Sequence, residues 1–272
     1  MKLKGKVAVV TGGASGIGKG MAVAFAQHEA KAVVVSDIDV DHATEVADAI
    51  NTDGGTALAV ATDVANEASV KNLVKTAEDA FGPVDLFCAN AGVLVLGGVH
   101  EPDDQWRRAF DINVMSHVYA ARAVLPGMVE RGSGYIVITA SAAGLLTQLG
   151  AAPYSMSKHA AVSIAEWIAI TYGDTGVKVS CLCPQAVRTN IAAFLGLPPA
   201  EAVESDGSHA ANDGVLEPED VAHVVIDALA DERFLILPHP EVEEYERRRA
   251  NDRERWLKGM RRQQARIGAP TF

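Results

Sequence analysis

The chain has 272 residues, of which 49% are hydrophobic and 22% are charged, and its formal net charge is −11. This composition is typical of a globular protein and excludes a disordered, collagen-like or disulfide-stapled one. The negative charge disfavours a general nucleic-acid or anionic-membrane binder, and no apolar run approaches the roughly 20 residues of a membrane span. The segment before and including Val7–Val10 is too short for a signal peptide, so we expect a soluble, cytoplasmic protein.

Cysteine and histidine usage gives no indication of a metal site. Cys88, Cys181 and Cys183 lack CxxC spacing, and the eight histidines lack metal-ligand spacing. We therefore predict three reduced thiols in a cytosolic protein and no bound metal.

Short β-branched runs alternate with longer helical segments along the chain. Strands are predicted at Val7–Val10, Ala32–Ser36, Ala57–Ala61, Val84–Ala89, Tyr135–Thr139, Val177–Leu182 and Phe234–Leu237. Helices are predicted at Gly18–His28, Asp41–Thr52, Glu67–Phe81, Pro102–Arg131, Tyr154–Thr175 and Pro218–Asp231. The strand runs are apolar throughout, which is typical of a parallel sheet covered on both faces. The pattern predicts an α/β fold: a doubly wound parallel sheet (Rossmann fold) of about seven strands, with helices on both faces.

Residues 1–240 are predicted to form one domain, because no linker or repeat interrupts the pattern. The connection 189–214 is unusually long, which is typical of a substrate-binding loop or lid. Residues 241–272 carry a net charge of +3 against −14 for the rest of the chain, and a charged C-terminal helix is predicted over Glu243–Arg266. That tail is interpreted either as a solvated helix or as a helix docked on the acidic body of a neighbouring subunit.

The first predicted strand leads into a glycine-rich turn, TGGASGIG, at 11–18. Glycines at 12, 16 and 18 let the backbone turn sharply and approach a pyrophosphate, which rests on the positive end of the following helix. Asp37 ends the second strand, where a ribose 2′-hydroxyl needs an acceptor. The later strand ends Asp63-Val64 and Asn90-Ala91-Gly92 are candidates for adenine and ribose contacts, although the second is also a good turn former.

The strongest chemical signal is YSMSK at 154–158, with Ser141 at the end of the preceding strand. Tyr154 and Lys158, at i and i+4, share one helix face. An ammonium beside a phenol lowers the phenol's pKa, so the pair predicts an acid/base that exchanges a proton with an alcohol or carbonyl oxygen. Ser141 can donate a second hydrogen bond to the same oxygen.

These motifs, together with NAG at 90–92 and Asn113, resemble the short-chain dehydrogenase/reductase family over about Lys4 to Leu237. The resemblance implies that Tyr154 is the catalytic acid/base, that Ser141 orients the substrate oxygen and that Lys158 holds the nicotinamide ribose. Asn113 would kink its helix around a water that passes protons to Lys158. The cofactor contacts predicted on these grounds are Gly12, Ala14, Ser15, Gly16, Ile17, Gly18, Asp37, Asp63, Val64, Asn90, Gly92, Tyr154, Lys158, Pro184, Val187 and Thr189.

One position departs from the family pattern. The family usually has Pro-Gly-x-Val-x-Thr, whereas this chain has PQAVRT at 184–189. The side chain of Gln185 either makes this wall of the site tighter and more polar or points outward without effect. The predicted substrate pocket is formed by Val93, Leu94, Leu146, Gln185 and Phe194. Its apolar character indicates an apolar alcohol or ketone.

We therefore predict an NAD-dependent oxidoreductase that interconverts a secondary alcohol and a ketone, with Asp37 favouring NAD over NADP. Two alternatives remain open: a 3-oxoacyl thioester reductase on the same scaffold, and a non-catalytic nucleotide-binding regulator. By resemblance, the helices Pro102–Arg131 and Tyr154–Thr175 form subunit contacts, and a homotetramer is the expected assembly. No nucleic-acid or membrane partner is predicted.

Overall fold

A computed structural model of the chain describes residues 1–191 and 213–268. The strands in these ranges are β1 (Val7–Thr11), β2 (Ala32–Asp37), β3 (Ala57–Ala61), β4 (Leu86–Ala89), β5 (Gly134–Thr139), β6 (Val177–Leu182) and β7 (Leu235–Ile236). The helices are α1 (Gly16–Gln27), α2 (Val40–Thr52), α3 (Glu67–Phe81), α4 (Asp103–Phe110), α5 (Ser116–Arg131), α6 (Ala143–Leu146), α7 (Ala152–Tyr172), α8 (Pro218–Asp231), α9 (Glu241–Asn251) and α10 (Arg253–Ile267).

The strands form one parallel sheet in the order β3-β2-β1-β4-β5-β6-β7. In its register, Val9 of β1 lies opposite Val34 of β2 on one side and Phe87 of β4 on the other. The predicted doubly wound sheet of seven strands is confirmed. The strand order reverses between β1 and β4, and a crevice opens at the carboxyl ends of the strands at such a point.

Both faces of the sheet are buried, because successive residues of each strand point to opposite faces. Val9 and Ile136 pack on one face with side chains of α3, α5 and α7, whereas Val10 and Val137 pack on the other with side chains of α1, α2 and α8. This two-sided burial explains why the strands are apolar throughout.

Two helix predictions are wrong in detail. The segment predicted as one helix, Pro102–Arg131, is interrupted by a π-helical turn at Asp111–Met115 between α4 and α5. The tail forms two helices rather than one, because Asp252 adopts an extended conformation (φ −147°, ψ 86°). Its carboxylate then accepts a hydrogen bond from the backbone N–H of Arg255 at 2.9 Å and caps α10.

Within residues 1–191 and 213–268, no helix combines the length and the apolar character needed to cross a bilayer.

Candidate active site

The glycine-rich turn between β1 and α1 forms a close-fitting cradle. Gly12 has a φ of +66°, and a Cβ built on it would lie 2.9 Å from Cα of Ala91. A Cβ on Gly16, whose φ is +51°, would lie 2.9 Å from Cγ2 of Thr189. A side chain at either position would therefore collide with the protein itself, and glycine lets the turn pack closely against the loops after β4 and β6.

The amino end of α1 provides a positive pole in this cradle. Its N-cap, Ser15, makes no side-chain hydrogen bond to the helix, and the first turn contains no acidic residue. The free N–H groups and the helix dipole suit a phosphate. The residues of the turn therefore fit a dinucleotide cofactor.

Asp37 is held in a fixed orientation at the end of β2. Its Oδ2 accepts a hydrogen bond from the backbone N–H of Ala14, and its Oδ1 accepts one from the backbone N–H of Asp39, both at 3.1 Å. The carboxylate lines the same cleft as the glycine turn. This places an anchored acceptor beside the phosphate cradle.

Asn90 has a structural role at the end of β4. Its Nδ2 donates to the carbonyl oxygen of Thr11 at 3.0 Å, and its Oδ1 accepts from Oγ1 of Thr139 at 3.1 Å. The side chain thus ties the ends of β1, β4 and β5 together around the cleft. Asp63 also lines the cleft, with Oδ1 accepting a hydrogen bond from the backbone N–H of Ala65.

Ser141, Tyr154 and Lys158 are all buried in the wall of this cleft. Lys158 Nζ donates to the carbonyl oxygen of Thr139 at 2.9 Å and lies 5.7 Å from the centroid of the Tyr154 ring. Burial lowers the pKa of Lys158 to about 8, because the charged form loses solvation. A phenol that can donate or accept a proton and a neighbouring ammonium therefore lie together in the wall of one cleft.

The pKa of the Tyr154 phenol is raised, because burial disfavours the phenolate more than the hydrogen bond with Ser141 stabilises it. The sequence-based expectation of a lowered pKa is therefore wrong. The ammonium of Lys158 is engaged by the Thr139 carbonyl, and burial, which local sequence does not reveal, dominates the titration of the phenol.

Asn113 lies in the π-helical turn between α4 and α5. Its side chain is fully buried and donates to the carbonyl oxygen of Val93 at 2.9 Å and to Oγ of Ser157 at 3.0 Å, while accepting from the N–H of Val93 at 2.8 Å. A Cβ on Gly92 would lie 3.2 Å from Asn113 Oδ1 and 3.3 Å from Lys158 Nζ. Asn113 therefore connects the loop after β4, through Val93, to α7, through Ser157. It lies behind the wall of the cleft and does not line it.

Gln185 anchors a neighbouring segment. Its Nε2 donates to Oδ2 of Asp213 at 2.8 Å, and Tyr245 of α9 donates to Oδ1 of the same carboxylate at 3.0 Å. The backbone N–H of Gln185 donates to Nδ1 of the buried His239 at 3.2 Å. The residue that replaces the family's glycine thus connects the end of β6 to the C-terminal tail.

The tail itself forms part of the cleft wall. The residues of the tail that line the cleft are spaced three to four apart, so they lie on one face of α10. They are Asp252, Arg255, Trp256, Gly259, Met260 and Gln263. The sequence did not predict that the tail lines this chain's own cleft, although most of α10 is exposed to solvent, as expected for a solvated helix. Its amphipathic spacing, with Trp256 and Met260 four residues apart, is the one signal that could have revealed this.

Most predicted site residues line one cleft of about 1700 Å³. They are Gly12, Ser15, Gly16, Ile17, Asp37, Asp63, Val64, Asn90, Gly92, Val93, Leu94, Ser141, Leu146, Tyr154, Lys158, Pro184, Gln185, Val187 and Thr189. Three are not part of its wall: Ala14 donates its N–H to Asp37, Gly18 packs against Gly12, and Asn113 lies behind Lys158. Phe194 lies outside the described residues, as does most of the predicted loop 189–214. Besides the tail, sequence reasoning missed several other lining residues, among them Arg108 and Leu149.

The doubly wound sheet, the glycine cradle and the buried Ser–Tyr–Lys group together define the class of Rossmann-fold oxidoreductases. The sequence matches the short chain dehydrogenase family over residues 6–197, and the chain belongs to this family.

The chain is similar to known dehydrogenases along most of its length. It is 36% identical over 242 residues to the 1-deoxy-11-beta-hydroxypentalenate dehydrogenase of Streptomyces exfoliatus, covering 87% of this chain and 84% of that protein. It is 34% identical over 240 residues to the cyclohexanol dehydrogenase of Acinetobacter sp. (strain SE19), covering 86% and 92%. The crystal structure of a short-chain dehydrogenase/reductase from Burkholderia phymatum in complex with NAD superimposes with a TM-score of 0.85 at 34% identity, covering 93% and 96%.

Proposed function

We propose that the chain is an NAD-dependent oxidoreductase that interconverts an apolar secondary alcohol and its ketone. The observation that carries this proposal is the convergence of Ser141, Tyr154 and Lys158 in the same cleft as the glycine cradle. The names of the relatives, which include a cyclohexanol dehydrogenase, support an alcohol or ketone as substrate.

Different residues of the cleft would bind different parts of NAD. Gly12, Gly16 and the amino end of α1 would hold the pyrophosphate, and Asp37 would accept hydrogen bonds from the adenosine ribose. Asp63 and Val64 would lie against the adenine, and Pro184, Val187 and Thr189 would meet the nicotinamide carboxamide. When bound, the cofactor would supply the hydride acceptor or donor. The NAD in the Burkholderia phymatum structure supports this assignment.

Tyr154 would move the proton. In ketone reduction its phenolic O–H would donate to the carbonyl oxygen, and in oxidation its phenolate would take the proton of the alcohol. Burial in the cleft raises the pKa of the phenol, so the phenolate that forms when Tyr154 gives up its proton needs stabilisation from its neighbours. Ser141 would donate a hydrogen bond to the same substrate oxygen and fix its position.

Lys158 would act on Tyr154 and on the cofactor. As an ammonium it would hold the nicotinamide ribose and stabilise the phenolate that forms when Tyr154 gives up its proton. Asn113 would act as a positioning residue, because it holds the loop after β4 against α7, the helix that carries Lys158.

The remaining assignments concern domains, assembly and location. We propose that residues 1–240 form the catalytic domain and 241–272 an accessory tail. Met156, Trp167 and Ile170 of α7 are 55%, 55% and 84% exposed, and an exposed apolar strip supports contacts between subunits, here in a homotetramer. All three cysteines are free and buried, which supports the reducing cytoplasm as location.

An assay that follows the absorbance of the reduced cofactor tests the proposal. Wild-type protein with NAD and a panel of cyclic secondary alcohols, beginning with cyclohexanol, is expected to form reduced cofactor. Turnover restricted to 3-oxoacyl thioesters would favour a thioester reductase instead. NAD binding without turnover of any alcohol, ketone or thioester would indicate a non-catalytic regulator.

A further inference from the structure

Charged side chains of both signs line the cleft. The acidic Asp37 and Asp63 follow β2 and β3, on the side of the sheet that would hold the adenosine. Arginines 108, 255 and 262, from α4 and α10, line the same cleft, and α10 follows the helix whose Tyr245 is tied to the end of β6 through Asp213. These three residues are termed here the arginine wall.

The arginine wall has no internal counter-charge. Across residues 1–191 and 213–268, no carboxylate lies within ion-pair distance of any of its three guanidinium groups. Asp252, the acidic residue that α10 presents to the cleft, is engaged as an N-cap by the N–H of Arg255. By contrast, the cleft-lining Arg248 is paired with Glu244 at 2.7 Å. Arg255 and Arg262 are exposed and Arg108 is half-buried, so water solvates their guanidinium groups in the free protein and a ligand in the cleft can replace that water.

Apolar side chains accompany these cations. Trp256 and Met260 lie on the same face of α10 as Arg255, with the side-chain-free Gly259 between them. Arg255 and Arg262 are seven residues apart, so they follow one another along one side of the helix, about 10 Å apart. A surface of this kind fits a ligand with an apolar body and an anionic end.

We propose that the arginine wall binds a carboxylate of the substrate, whose apolar body lies against Trp256 and Met260. Planar guanidinium groups match the geometry of a carboxylate and form charge-assisted hydrogen bonds with it. This inference rests on the proposed function and narrows the substrate to an apolar hydroxy or oxo carboxylic acid. It also gives the tail a role, because two of the three cations lie on α10.

Binding of decanoate, measured by calorimetry without any turnover, tests the inference directly. Wild type is expected to bind decanoate at least about tenfold more tightly than decanol, and the Arg255→Ala/Arg262→Ala double variant is expected to lose that preference. Arg253→Ala is the matched control, because Arg253 lies on the same helix but outside the cleft wall, and it should bind like wild type. Equal binding of decanoate by wild type and the double variant would overturn the proposal.

Kinetics separate this inference from the proposed function. With NAD as cofactor, wild type is expected to have a higher kcat/KM for (ω−1)-hydroxy fatty acids than for their methyl esters. In the Arg255→Ala/Arg262→Ala double variant, kcat/KM for the acids should fall about tenfold because KM rises while kcat stays constant. The Arg253→Ala control should leave kcat/KM for the acids and the esters and the KM for NAD unchanged. Oxidation of esters and acids with equal kcat/KM in wild type would refute the carboxylate site and leave the alcohol dehydrogenase intact.

Discussion

The phenolic O–H of Tyr245 donates a hydrogen bond to Oδ1 of Asp213 at 3.0 Å, and this contact joins the tail to the end of the connection between β6 and α8. Because Gln185 occupies the other oxygen of that carboxylate, the three side chains form one bridge from the catalytic half of the sheet to α9. These polar contacts, together with the burial of Val242 in the hydrophobic core, hold α9 in position.

Removing the shared carboxylate should loosen the tail. Asp213→Ala leaves Gln185 and Tyr245 unpaired, a loss of about 1–3 kcal/mol, so we expect the KM for the alcohol to rise about tenfold while the KM for NAD stays constant. Tyr245→Phe, which removes one of the two bonds, should have a smaller effect. Steady-state kinetics with the alcohol and with NAD measure these KM values, and Glu243→Gln is the control because Glu243 is exposed on the same helix. An unchanged alcohol KM in Asp213→Ala would show that the bridge does not position the tail.

The pH dependence of ketone reduction should follow the charge of Lys158. Below about pH 8 Lys158 is an ammonium and Tyr154 is a neutral phenol, so kcat/KM for reduction should be flat. Above pH 8 Lys158 loses its proton while Tyr154 keeps its own, and the rate should fall. In Lys158→Met the residual rate should lack this break. A break that persists in the variant would assign the titration to another group.

Asp37 should select the cofactor. A carboxylate within about 4 Å of the 2′-phosphate of NADP costs roughly 4 kcal/mol per charge pair at an effective dielectric near 20. We expect kcat/KM with NAD to exceed that with NADP by at least about 100-fold. Asp37→Ala should narrow the gap by raising activity with NADP, because the repulsion is lost. Equal use of both cofactors by wild type would remove Asp37 from the ribose site.

The sheet and the cofactor cradle could be predicted because their signals are local. Uninterrupted apolar runs such as Ala32–Ser36 reveal buried strands, and a glycine such as Gly12 reports a backbone conformation that other residues avoid. The place of the tail could not be predicted, since it depends on Asp213 and Gln185, which are far from Tyr245 in sequence. The raised pKa of Tyr154 escaped prediction for a similar reason: it follows from burial by the whole fold rather than from the nearby Lys158.

The central claim is that Tyr154 transfers the proton, and Tyr154→Phe tests it most directly. The substitution removes only the hydroxyl and leaves a ring that fills the same buried space. We predict that kcat falls by a factor on the order of 10³ or more while the Kd for NAD, measured by titration calorimetry, stays within a few-fold of wild type. A variant that keeps a tenth of the wild-type kcat would contradict the assignment of Tyr154 as the acid/base.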